Sequence, residues 1–177
     1  VEGRGDPNTS PDYRHAVEAL FAVSYAAKFM SKRELGRDYV VMPLEGLWSA
    51  QDWAAFIRRD KHEWSWVMQI RQPDWVDTHL LRRAQDQVAA KQLPALPLVR
   101  HTTTTEGLSV QTLHVGSYDD EGPALRQLHT EHLPAQRRVP VGQHHEIYLS
   151  DPRRITADRL ETVLRQPVAP GYKGSTA

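Results

Sequence analysis

Cysteine is absent from this sequence, which excludes disulfide frameworks, thiolate nucleophiles and zinc–thiolate centres together. Surplus charge is missing as well: 22 basic and 22 acidic side chains cancel to a formal net charge of +0. A protein that grips nucleic acid or an anionic membrane needs a basic excess somewhere, so neither partner is expected. No apolar run approaches the roughly 18 residues of a membrane span. The G-x-S-x-G elbow, the P-loop and the dinucleotide fingerprint do not occur. The chain starts at Val1 rather than Met and shows no signal peptide. A first strand is therefore expected to have lost residues there, and the expected location is the cytoplasm.

What remains is the composition of a folded protein, with 40% hydrophobic and 25% charged residues among 177. Ser10 and Pro11 read as the start of a helix, and Val17, Leu20, Phe21, Ser24, Ala27 and Met30 recur at helical spacing. Gly36 is its expected stop, beyond Lys32 and Arg33. The opening Gly3 to Asn8 reads as a turn. Residues 38–48 read as a strand bent at Pro43, and 51–60, with Trp53, Phe56 and Ile57, as a short helix or covering loop. Glu63 to Arg71 alternates as a strand, sending Trp64, Trp66, Met68 and Ile70 one way. Val76, Leu80, Ala84 and Val88 predict a second long helix to about Gln92.

After the Pro-punctuated connector 93–97 the plan repeats. Strands are expected at 98–104, 108–115, 144–149 and 162–168, with a helix around Leu125 and Leu128 and a short helical piece at 156–160. Ile70-Arg71-Gln72-Pro73 is echoed by Leu164-Arg165-Gln166-Pro167, which suggests a duplication with repeats of about 1–92 and 93–168 inside one domain. The tail 169–177 is expected to fray.

The most informative segment is His144-His145-Glu146-Ile147-Tyr148-Leu149. Strand alternation places His144, Glu146 and Tyr148 on one face and His145, Ile147 and Leu149 on the other. If Ile147 and Leu149 are core, Glu146 and Tyr148 turn toward a cleft or simply toward water. Glu45 is either a similar cleft residue or a charge at a turn. His144 can share a ligand with Glu146, and His129 with His132, but nothing fixes a metal, and solvated histidines are the reading taken. Five Trp fall between residues 48 and 75. Trp64 and Trp66, roughly 7 Å apart on one face, would form a flat wall for a planar ligand, while at least two of the five should be core.

Two elements, His114-Val115-Gly116-Ser117-Tyr118 and His145-Glu146-Ile147-Tyr148-Leu149, resemble those of the GyrI-like small-molecule-binding family. Gly5-Asp6-Pro7-Asn8, the stretch from Tyr39 to Gly46, Tyr118 to Pro123 and His144 to Arg154 resemble its stand-alone subgroup, the cyclopropanoid cyclopropyl hydrolases. The resemblance covers nearly the whole chain. It implies an α+β fold of duplicated β-α-β-β (SHS2-type) units: two antiparallel halves, two long helices and a central ligand cleft. It also implies hydrolysis of the activated cyclopropane in planar DNA-alkylating natural products of the yatakemycin and duocarmycin type, without a cofactor or metal, by a monomer.

Adding water to such a ring needs an activated water, a donor for the developing phenolate and walls for a flat ligand. Glu146, its pKa raised among aromatic rings, is the expected general base, with Tyr148 and Tyr39 as donors. Trp48, Trp64, Trp66, Met68, His114, His144 and Glu45 are the expected substrate-binding residues. A binding-only protein that sequesters planar aromatic or cationic compounds is the alternative, since one carboxylate among rings also suits a cation.

Overall fold

The computed structural model describes residues 1–50 and 60–171, and the expectations for Trp53, Phe56 and Ile57 lie outside them. The chain divides into two compact units, Val1–Thr103 and Thr104–Ala177.

In the first unit, β1 (Glu2–Arg4) precedes helix α1 (Pro11–Leu35). Strands β2 (Leu44–Ala50) and β3 (Trp64–Ile70) and helix α2 (Thr78–Val88) follow. The strands form an antiparallel sheet in the order β1–β3–β2, with Trp48 opposite Trp66. Ser10 caps α1 by accepting the Tyr13 amide at 3.3 Å, Pro11 occupies the first turn, and Gly36 ends the helix as the spacing predicts. Asp77 caps α2 through the Leu80 amide at 2.8 Å. Leu80, Ala84 and Val88, one helical turn apart, pack into Val23, Ala26, Ala27 and Met30 of α1. Small alanines bring the two helices close, and these seven buried side chains form the helical part of the core.

The predicted turn at Gly3 is instead strand. Gly3 pairs with Trp66, and a Cβ at position 3 would stand 2.2 Å from the indole Cη2. This glycine is a seat for a ring rather than a bend in the chain.

The second unit runs β4 (Ser109–Val115), α3 (Gly122–Gln127), a π-helical turn (Leu128–His132) and α4 (Leu133–Ala135). Strands β5 (Arg138–Pro140), β6 (His144–Tyr148) and β7 (Glu161–Pro170) complete it. Its antiparallel order is β6–β7–β4, and β5 pairs with the end of β7. Leaving β5 aside, first, third and second strands are neighbours in that order within each unit.

Three expectations need correction. The run 98–104 is not a strand: Leu98 ends a 3-10 turn, and Thr102 to Thr104 are all exposed and offer no apolar alternation to bury. The second unit has no long continuous helix. Pro123 and Pro134 confine it to short pieces, and a π-helical turn lies between them. The two long helices, α1 and α2, both belong to the first unit, where the spacing placed them. Ala169 and Pro170 are strand, paired with Val139 and Arg138, while 172–177 lie outside the described residues.

Candidate functional site

Register decides which side chains of the second unit share a face. Glu146 lies opposite Leu164, which lies opposite Thr112; Tyr148 lies opposite Thr162, which lies opposite His114. These residues and His144 occupy one face of the sheet. Leu164 and Thr162 are 0% exposed, and the Glu146 side chain keeps 13% of its surface. The opposite face carries Leu113, Val115 and Leu149, all about half exposed. Leu149 is therefore not the core residue expected, while Ile147 is half-buried and His145 on its face is 4% exposed. The polar triplet His144, Glu146 and Tyr148 is on the buried side.

Burying a carboxylate requires hydrogen bonds. The Tyr148 hydroxyl donates to Glu146 Oε2 at 2.7 Å, and His144 Nε2 stands 3.5 Å from Oε1. That second distance is beyond a good N–H···O contact. His144 is 7% exposed, and neither ring nitrogen has a hydrogen-bond partner among the described residues. The Thr162 hydroxyl between His114 and Tyr148 is likewise without one. His145, on the other face, bonds Glu106 at 2.8 Å. Among the described residues, no group of three or more His, Asp and Glu is arranged to hold a metal ion.

The His114-to-Tyr118 element acquires a physical reason here. Gly116 has φ +143, where a side chain is strained, and the His114 ring folds over it. Its Nε2 meets the Ser117 carbonyl at 3.0 Å. The braced turn presents Tyr118 edge-on to Tyr148, with ring centroids 5.5 Å apart. Burial, and then the negative charges of Glu121, Glu146 and Asp151, push the Tyr118 hydroxyl above its ordinary pKa. It therefore remains a proton donor at neutral pH. His129 on the π-turn moves the other way, lowered first by burial and then by His144. Sequence reasoning did not assign Tyr118, His129 or Thr162 to the site. The Tyr118 motif was visible, whereas the roles of His129 and Thr162 depend on tertiary packing. Asp151 is held down at about 2 because Arg153 donates to both its oxygens at 2.9 Å, which makes 151–154 a self-bracing turn.

The first unit gathers Trp48, Trp64, Trp66 and Met68 on one sheet face. Their rings do not make a flat wall: Trp48 meets Trp64 at 73°, and Tyr13 stands edge-on to Trp66 at 86°. Trp66 is 1% and Met68 0% exposed, so both are core in the structure. Glu45 projects to the opposite face, where Gln69 donates to it at 2.9 Å. Tyr39 belongs to the helical layer. Its hydroxyl donates to Gln72, Trp75 packs at its edge, and burial raises its pKa to about 12. The structure uses that hydroxyl to tie Gln72, itself bonded to Ser24, against α1.

Among the described residues no helix is long and apolar enough to cross a membrane. No curated protein matches this sequence. Three solved structures from Listeria innocua resemble it, and in each the likeness covers 96% of this chain and 85% of the other. One, an uncharacterized conserved protein, is 36% identical with a TM-score of 0.84. Two are described as hydrolases, 32% and 33% identical with TM-scores of 0.80 and 0.81. Residues 1–167 match the GyrI-like small molecule binding domain, and the chain belongs to that family.

Proposed function

We propose that this protein is a hydrolase that adds water to the activated cyclopropane of planar DNA-alkylating compounds of the yatakemycin and duocarmycin type, giving detoxification or self-resistance. The observation that carries the reading is the Glu146–Tyr148 pair. It is a carboxylate on the buried face of the second unit, held by one phenol and bordered by a second, Tyr118. The likeness to two structures described as hydrolases supports an enzyme.

In the proposed step an O–H bond of water breaks and its proton passes to Glu146. The oxygen bonds to the cyclopropane carbon as a ring C–C bond breaks. The released electron pair moves through the conjugated dienone to its oxygen, which takes up a proton to become a phenol. Tyr118, kept protonated, is the donor for that oxygen, and Tyr148 orients the base.

The family's description as small-molecule-binding favours a second reading, sequestration without turnover. Incubating the protein with a cyclopropane-containing alkylator and weighing the recovered compound separates the two. The expected product is heavier by one water and forms over many turnovers. Stoichiometric capture of intact compound would establish sequestration instead.

A further inference from the structure

The geometry points to His144 as a positioning residue that relays the proton taken up by Glu146; the inference rests on the hydrolase reading. A buried imidazole normally has both nitrogens satisfied, because an orphaned polar group pays its desolvation without a compensating bond. His144 has neither satisfied among the described residues, yet its Nε2 faces Glu146 Oε1 at 3.5 Å. The other carboxylate oxygen is already occupied by Tyr148. Oε1 is thus the oxygen left to take a proton from water, and His144 is the next proton acceptor beside it. A shift of well under 1 Å closes that contact to hydrogen-bond length.

The groups acting on His144 fit this role. Glu146 provides the negative charge that stabilises an imidazolium, and Tyr148 ties its far oxygen. Half-buried His129, on the π-turn, interacts electrostatically with His144 and has its own proton affinity lowered. Tyr118, with Glu121 and Asp151 acting on it, remains neutral. The proton lost by water passes from Glu146 Oε1 to His144 Nε2, and the imidazole then gives up a proton to solvent. Solvent returns one proton to the new phenol, so the balance closes and Glu146 is again ionised for the next turnover.

The test compares kcat and ligand affinity for the wild type, Glu146→Gln, His144→Asn and His144→Ala, with thermal melts confirming that each is folded. His144→Asn keeps a polar side chain but cannot carry a proton onward, and it serves if His144→Ala does not fold. Both His144 variants are expected to bind within about threefold of wild type and to lose roughly 100-fold in kcat, the low end for a positioned proton-transfer group. Added imidazole should restore part of the His144→Ala rate and none of the Glu146→Gln rate. Wild-type kcat in the His144 variants, a loss confined to affinity, or a kcat loss that imidazole does not relieve would each overturn the relay. If Glu146→Gln itself turns over at the wild-type rate, the hydrolase mechanism fails, whatever His144 does.

Discussion

Glu146→Gln is expected to bind a planar alkylator as tightly as the wild type while losing about 100-fold or more in turnover. The amide has nearly the carboxylate's shape and can still accept from Tyr148, so the buried packing against Leu164 should persist. What disappears is the ability to accept a proton from water. Single-turnover rates beside equilibrium binding separate the two effects. An unchanged rate would remove Glu146 from the chemistry, and lost affinity at an unchanged rate would make it a binding group only.

The second large effect is on stability. Trp66→Ala should cost about 3–5 kcal/mol, because it empties a site 1% exposed beneath Tyr13 and beside Trp48. The chain cannot refill the space easily, since Gly3 on the neighbouring strand has no side chain to offer. Urea unfolding should show a lower midpoint at an unchanged slope. A stable Trp66→Ala protein with weakened ligand binding would restore this ring to the role its strand position first suggested, that of a ligand wall.

These two residues show how far the sequence could be read. Alternation over Trp64–Ile70 correctly put Trp64, Trp66 and Met68 on one face, yet alternation cannot say whether a face meets a helix or a ligand. The same rule correctly grouped His144, Glu146 and Tyr148. The inference that Leu149 must be core then failed, because Leu113, Val115 and Leu149 are all about half exposed, while Ile147 is half-buried. Hydrophobicity misplaced Leu149 where the chain buries a polar row instead. That is the conflict between local pattern and fold expected at a site.

Helices α1 and α2 were legible because their caps and spacing agree with their packing: Ser10, Pro11, Gly36 and Leu80-Ala84-Val88 each sit where the pattern requires. Strands β1 and β5, three residues each, are too short for alternation to register and exist only through their partners β3 and β7. Glu45 and Tyr39 were singled out by residue type, but pairing sends Glu45 away from the tryptophans and packing gives Tyr39 to the helical layer. The H-x-G-x-Y element was visible as a motif, and its reason, a histidine closing over Gly116 to aim Tyr118, is a matter of three dimensions.

The central claim is that Glu146 activates water rather than attacking carbon itself. A single turnover in water enriched in heavy oxygen tests it most directly, with enzyme in excess and both compound and protein analysed by mass. The account predicts that the heavy atom appears in the ring-opened product and that the protein's mass is unchanged. Light oxygen in the product, with label later found on Glu146, would contradict it by showing an ester to the carboxylate. Recovery of the intact cyclopropane would contradict it more completely.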